Sequence, residues 1–363
     1  MRILVANAGS STLKLSLLDG DDTELWGREL DAPRSVVEPA ALAQAVGELP
    51  EAPEAVGHRI VHGGERFRSA VRLDAEVLSA LRELTALAPL HQPKSLAAVE
   101  AVSQALPDVP AVACFDTAFH ASLPPAAATY ALPREWRERY GVRRFGFHGL
   151  SHAYASGRVL QLAPEARRLV TCHLGAGASL CAVLDGASID TTMGFTPLEG
   201  LVMATRSGSV DPGLLLWLQE QASLTPQQMA DALEHESGLA GIAGTPDMRE
   251  LVARDDADAR LAFDVYVHRL RAGIGAMVAA LGGLDALVFT GGVGEGSPRV
   301  RQAACEGLGH LGVALDGGRN ETVNRDGDIG TEASRVAVLV IRAREDVEIA
   351  RQARALLGRR VHG

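Results

Sequence analysis

The chain is short of every feature that would take it out of the ordinary globular enzymes. It has only four cysteines in 363 residues, Cys114, Cys172, Cys181 and Cys305. None has CxxC spacing and most lie inside apolar strand-like runs. They read as reduced core residues of a cytosolic protein, which excludes a zinc site or a disulfide framework from the expectation. Basic residues are also in deficit, with 35 Lys and Arg against 45 Asp and Glu and a formal charge of −10. Nucleic-acid and anionic-membrane binders need a basic face that displaces counterions, so neither partner is expected. No stretch approaches the roughly 18 apolar residues of a membrane crossing. The opening MRILVANAGSS reads as a strand and a turn rather than a signal peptide. What is present is a globular mix, 47% hydrophobic and 22% charged, in a chain long enough for two domains with a ligand cleft between them.

Strand-like and helix-like segments alternate, which predicts an α/β fold. Strands are expected at Ile3–Ala6, Leu13–Leu18, Ala55–Val61, Ala111–Phe115, Ala286–Thr290 and Val336–Ile341. Asp74 is placed to cap a helix with Val77, Leu78, Leu81 and Leu84 on one stripe, stopped by Pro89. Further helices are expected at Ser95–Leu106, within Gly208–Gln221, at Phe263–Leu281, from about Pro298, and at Asp346–Leu357. Residues 3–20, ILVANAGSSTLKLSLLDG, align without gaps on 169–186, LVTCHLGAGASLCAVLDG. Both read as apolar strand, small-residue turn, apolar strand and Asp-Gly. Identity is confined to Gly9/Gly175, Leu18/Leu184, Asp19/Asp185 and Gly20/Gly186, so the shared architecture, not the identity, suggests a duplicated domain. Two unrelated hairpins with similar turns are the plainer reading.

Several constellations could carry chemistry, each beside a structural alternative. Asn7-Ala-Gly-Ser-Ser-Thr12 followed by Lys14 offers small residues, hydroxyls and a cation to a phosphate, or is simply a hairpin turn. His173-Leu-Gly-Ala-Gly177 is its repeat equivalent with less support. Gly291-Gly-Val-Gly-Glu-Gly296 lies between a buried strand and a helix, where glycines admit a phosphate, but its spacing is not the GxGxxG of a Rossmann fold. Arg59, Asp116, His148, His152 and Arg206 are polar residues embedded in apolar sequence. Singly they suit structural ion pairs; together with three glycine turns they favour an enzyme that handles anions. Glu345 and Asp346 after the last strand suit Mg²⁺ or, equally, a helix N-terminus. Glu234–Ser237 reads as a solvated face.

These residues resemble the acetate kinase family. The resemblance rests on NAGSSTLK at 7–14, GHRIVHGGE at 57–65, LAPLHQP at 87–93, FDTAFHASLP at 115–124 and FGFHGLSH at 145–152. It continues through HLGAGAS at 173–179, MGFTPLEGLVMATRSG at 193–208 and VFTGGVGEGS at 288–297, in family order and across almost the whole chain. The family belongs to the superfamily of acetate and sugar kinases, heat-shock chaperones and actin. That implies two duplicated actin-like (ribonuclease H-like) α/β domains with the active site in the cleft between them. The implied domains are 1–120 completed by 346–363, and 121–345.

Carried over by position, the resemblance makes Asp116, His148 and Arg206 catalytic and Arg59 the arginine for the substrate carboxylate. It lines a small acyl pocket with Val61, Leu90, Phe147 and Pro197, and assigns Asn7 and Glu345 to magnesium or manganese. Lys14, the turn His173-Leu174-Gly175-Ala176-Gly177, Asp247-Met248-Arg249 and Gly292-Val293-Gly294-Glu295-Gly296 fall on the nucleotide side. The implied reaction is direct in-line phosphoryl transfer between ATP and acetate, giving acetyl phosphate and ADP, in a cytoplasmic homodimer. Transfer to propionate or another short acid, or from another donor, is the neighbouring reading; an actin-like nucleotide binder without catalysis is the remote one. Departures gather on the nucleotide side. The family's HLGNG has Ala176, its TRSGD has Ser209, its DFR has Met248, its GEN has Gly296, and the proline before the Glu345 segment is Arg342.

Overall fold

The computed structural model describes residues 1–9, 12–32, 38–88 and 92–358. The turn residues Ser10 and Ser11, the helix stop Pro89 and the pocket candidate Leu90 lie outside them. The chain forms two compact units, one of Met1–Ala121, Phe147–Tyr154 and the residues from Arg344 on, the other of Ser122–Gly146 and Ala155–Ala343. The stretch Phe147–Tyr154 thus belongs with the first unit, not with 121–345.

The first unit holds β1 (Ile3–Ala8), β2 (Thr12–Leu18), β3 (Glu24–Asp31), β4 (Ala55–Ile60), β5 (Val71–Arg72) and β6 (Ala111–Phe115) in the order β3-β2-β1-β4-β6-β5. Strands β1, β4 and β6 run parallel, whereas β2 pairs antiparallel with β1 and β5 with β6. Alternation decides the faces of β2, where Leu13, Leu15 and Leu17 are buried and Lys14 points out. Those leucines, with Leu4 and Ala6, pack beneath the helices Pro39–Gly47 and Gln92–Ala105. On the opposite face Ile3, Val5, Val112 and Cys114 receive Val347, Ile349, Ala350 and Ala353 of the final helix, Glu345–Gly358. Asp74 caps the helix Ala75–Glu83 by accepting from Val77 N at 2.8 Å.

The second unit repeats the topology. Its strands β7 (Arg168–Leu174), β8 (Ala178–Leu184), β9 (Ala187–Thr191), β10 (Ala286–Thr290), β11 (Gly327–Asp328) and β12 (Ala337–Val340) run in the order β9-β8-β7-β10-β12-β11. Six strands in the same order and sense make the α/β fold a duplicated one. The gapless alignment, however, slips by one residue. Ala8 pairs with Leu13 across four intervening residues, whereas Leu174 pairs with Ala178 across three. With that residue removed, the register shift between Leu17 and Leu18 coincides with the one between Ala182 and Val183. A shared bulge at a shared position is stronger support for duplication than the four identities.

His58 on β4 is 1% exposed and neither ring nitrogen has a hydrogen-bond partner. Burial lowers its pKa from 6.5 to about 4, so the folded chain keeps it neutral while the unfolded chain protonates it below about pH 6.5. The stabilisation is complete above that pH and is lost as pH falls toward 4, by up to about 3 kcal/mol. Urea unfolding between pH 7 and pH 4 should show this loss, and His58→Leu should reduce it without lowering stability at pH 7, leaving the part due to His62, whose burial also lowers its pKa to about 4.

Candidate active site

The parallel strands of the first unit end in a connected set of four polar side chains. Asn7 is near the end of β1, Arg59 near the end of β4, Asp116 directly after β6, and Glu345 opens the final helix. Strand register brings them together, because β4 lies beside both β1 and β6. Asp116 N donates to Ile60 O at 3.0 Å, which fixes the carboxylate next to Arg59. Arg59 donates through Nε (3.0 Å) and Nη2 (2.7 Å) to the same oxygen, Asp116 Oδ2. Its Nη1 donates to Asn7 Oδ1 at 3.3 Å and lies 3.9 Å from Glu345 Oε2. Asn7 Nδ2 closes the set by donating to Glu345 Oε2 at 3.0 Å. Carboxyl ends of parallel strands are where open α/β sheets bind ligands.

Burial opposes the charge on Arg59, but the Asp116 and Glu345 carboxylates outweigh it and push its pKa up. At Asp116 burial pushes the carboxyl up, Arg59 pulls it back and Glu345 adds to the rise, with the net shift upward. The guanidinium is therefore permanently charged, held by Asp116 on one side and by Asn7 and Glu345 on the other, and 18% exposed on its side chain. Asp116 Oδ1 is buried without a hydrogen-bond partner. A bare carboxylate oxygen, with Glu345 joined to it through Arg59 and Asn7, is a donor set that suits a hard divalent cation. Among the described residues no three His, Cys, Asp or Glu converge into a metal cage. A magnesium ion that travels with phosphates does not need one, since one or two carboxylates complete its shell.

His148 is held beside Asp116 by its backbone. Its φ is +56°, a strained value for a residue with a side chain. The next residue explains the strain: Gly149 N donates to Asp116 O at 2.8 Å, and a Cβ on Gly149 would stand 2.1 Å from that oxygen. Close approach at Gly149 forces the turn at His148, which then opens the helix Gly149–Leu162. Phe147 is buried, with its carbonyl 3.0 Å from His120 Nε2 and its ring 5.5 Å from the His62 ring. Val61 follows β4 and is also buried. Gln92 fastens this region by exchanging hydrogen bonds with the backbone of His62.

In the second unit Arg206 pairs through Nε with Glu234 Oε2 at 2.8 Å and donates to Pro197 O at 3.4 Å. Glu234 is 8% exposed, so the solvated-face reading of Glu234–Ser237 is wrong at its first residue. The helix Pro226–His235 turns it inward, where the guanidinium compensates its charge. The loop with Pro197 is anchored by Arg144, which pairs with Glu199 at 2.7 Å and donates to three carbonyls between Thr191 and Met193.

The nucleotide-side candidates divide between backbone and side chain. Leu174 and Met248 are buried core residues, so only their backbones are free for a ligand. Ala176 is exposed in its turn and its carbonyl accepts from Ala204 N at 3.1 Å. The glycine run is a short helix, Gly291–Gly296, where an open turn was expected. Gly291, at φ +78°, permits it, since a Cβ there would lie 2.8 Å from Leu174 O. Glu295 Oε1 accepts from Gly291 N and Ala343 N, both at 2.9 Å, so that oxygen ties the ends of β10 and β12 instead of facing solvent. Asp247 caps the helix Met248–Ala253 and pairs with the exposed Arg249, whose bonds hold its pKa down at about 2. Lys14 is exposed and 3.7 Å from Glu29 across the β2–β3 ladder.

Gln92, His120, Glu234 and Arg301 are supports that residue-by-residue reading passes over. Gln92 and His120 were within reach, because each sits inside a motif quoted above. Arg301 is 1% exposed and donates to Gly294 O, Glu295 O and both oxygens of Asn320, closing the short glycine helix. Nothing local to Arg301 or Glu234 signals such a role.

Residues 38–351 match the family model described as the acetokinase family. An acetate kinase of Trichormus variabilis is 50% identical over an alignment covering 87% of this chain and 79% of its own. The crystal structure of Porphyromonas gingivalis acetate kinase superposes with a TM-score of 0.89 at 34% identity, covering 98% of this chain and 99% of that one. A propionate kinase from Francisella tularensis has the same TM-score at 33% identity, with 97% and 98% covered. A family model spanning most of the chain, a relative at half identity and two full-length structural matches agree: the chain belongs to the acetokinase family.

Proposed function

We propose that the chain is a kinase that reversibly transfers the γ-phosphoryl group of ATP to acetate, giving acetyl phosphate and ADP. The observation that carries this reading is Arg59, a guanidinium fixed by Asp116 on one side and by Asn7 and Glu345 on the other. A permanently charged, oriented fork at the strand ends is what a small carboxylate needs in order to bind in one pose. Acetate is already a nucleophile, so no general base is required and Asp116 serves to orient Arg59. Transfer between two anions runs through a loose transition state whose oxygens carry negative charge, so catalysis is positioning and charge neutralisation. His148 and Arg206 are assigned to that charge. Asn7 and Glu345, with the bare Asp116 oxygen, would hold a magnesium or manganese ion, which neutralises the phosphates when bound. The nucleotide is assigned to His173–Gly177, Asp247–Arg249 and Gly292–Gly296, mainly through backbone groups, since Leu174 and Met248 are core residues.

Propionate is the second acceptor to weigh, given the similarity to the Francisella protein. The buried pair Val61 and Phe147 favours the smaller acid, and one methylene is worth about 1–3 kcal/mol. Four buried cysteines, all free thiols, support a reducing compartment, and we place the reaction in the cytoplasm. We also propose a homodimer. The helix Pro212–Gln221 buries none of its residues and exposes Leu214, Leu216 and Trp217, an unpartnered apolar face.

Acetyl phosphate trapped with hydroxylamine should form from Mg-ATP and acetate, with propionate less efficient by about tenfold or more in kcat/KM. Absence of product with either acid would overturn the reading. Arg206→Ala should lower kcat by about 10²–10³-fold, the usual cost of one lost donor to a transition-state oxygen. An unchanged kcat would remove Arg206 from the chemistry. Leu216→Glu combined with Trp217→Glu should convert a dimer to a monomer by light scattering while turnover chemistry is retained. A mass unaltered by the substitutions would exclude this helix as the interface.

A further inference from the structure

The first unit contains a cavity of about 300 Å³ that none of the roles above uses. It opens between the loop at Arg68, the turn at Ala118 and Phe119, the helix beginning at Gly149 and the helix beginning at Glu345. Its volume is at the lower end of the range for small-molecule sites. Alanines at 118, 153 and 355 make the space, and Phe119 and Leu356 give it an apolar wall.

Two charged groups of opposite sign face it. On the final helix, Glu348 accepts from Gln352 Nε2 at 2.8 Å through Oε1 alone. Arg351, the neighbouring cation of that helix, is committed to Asp22 at 2.7 Å. Among the described residues neither the half-buried Glu348 nor the exposed Arg68 is in an ion pair, although both line the same cavity. The half-buried charges of Arg354 with Asp22 and of Arg344 with Asp346 are by contrast closely paired. Burial raises the Glu348 pKa and the charge of Arg351 offsets only part of that cost, so a cation supplied by a ligand would be favourable there.

We propose that this cavity binds a small zwitterion, an α-amino acid with a short apolar side chain. Its ammonium group meets Glu348, its carboxylate meets the Arg68 guanidinium, and its side chain packs on Phe119 and Leu356. A carboxylate, a guanidinium and an apolar wall lining one cavity match that class, whereas a simple amine leaves Arg68 unused and a simple acid leaves Glu348 unused. The cavity also touches the support of the active site. Phe119 Cβ lies 3.0 Å from where a Cβ on Gly149 would stand, and Gly149 N holds Asp116 O.

The test is isothermal titration of the full chain with L-valine and with isobutylamine, which is valine without its carboxylate. L-valine should bind, and Glu348→Gln and Arg68→Gln should each weaken it at least tenfold. Isobutylamine should bind at least tenfold more weakly than valine and be indifferent to Arg68→Gln. Both variants should keep the thermal midpoint and acetate-dependent phosphoryl transfer of the parent, which separates failure of this site from failure of the kinase reading. No binding of L-valine at millimolar concentrations, or equal binding by parent and both variants, would overturn the proposal. Equal binding of amine and amino acid would overturn its zwitterionic part.

Discussion

The pairing of Arg59 with Asp116 is the constraint around which the first unit is built. A guanidinium at the end of a buried parallel strand has to be compensated, because its charge is largely removed from water. Asp116 provides that compensation only because β4 and β6 are neighbours and the Asp116 amide is bonded to Ile60 O. Both donors of Arg59 converge on one carboxylate oxygen. The other is left bare, and Nη1 reaches toward Asn7 and Glu345. Structural pairing and ligand readiness thus come from the same two residues. A symmetric bidentate pair would have used both oxygens and left no free acceptor.

The duplicated sheet shows what is specific to this site. Matching the two units by register sets Arg59 against Thr290 and Asp116 against Ala343. The second unit therefore has no ion pair at these positions. Thr290 is buried with its hydroxyl unpartnered, and the gap between the strand ends is spanned by Glu295, which accepts from two backbone amides. One scaffold has been closed in two ways, by a charged side-chain pair and by a carboxylate bound to backbone. The first leaves a cation facing outward. The second consumes its charge inside the fold and leaves glycine backbone at the surface, which suits close approach of a phosphate.

What was legible in the sequence follows this division. Periodicity showed the central strands and the capped helix at Asp74 but not the edge strands β3, β5, β9 and β11, which are short or largely exposed and carry little apolar signal. Arg59 and Asp116 stood out as polar residues embedded in apolar sequence and Glu345 as an acid after the last strand, but their adjacency comes from strand register, which the sequence does not display. The repeat was visible, but its one-residue slip was not, since turn length leaves no hydrophobic signature. Leu174, Met248 and Glu295 were assigned to the nucleotide by motif position. A motif records which backbone is near a ligand and not where each side chain points, and all three direct theirs into the protein. Glu234 looked solvated because its neighbours are polar; its burial depends on Arg206, which is distant in sequence.

The departures from the family's pattern can be weighed in the same terms. Ser209 replaces an acid, yet it exchanges hydrogen bonds with Gly200 through both hydroxyl and amide, so the loop that precedes it is still closed. Gly296 replaces an asparagine at the end of a helix whose carbonyls are already capped by Arg301. Ala176 keeps its carbonyl contact with Ala204 and loses only an amide side chain. Gly296 and Ala176 each lack an amide side chain and Ser209 exchanges a carboxylate for a hydroxyl, while the backbone bonds of these turns stay in place. Backbone amides and glycine turns are the part of a phosphate site that needs geometry most and side chains least. These changes fall on positions that the resemblance assigns to the nucleotide, whereas the side-chain cluster of Arg59, Asp116, Asn7 and Glu345 is intact.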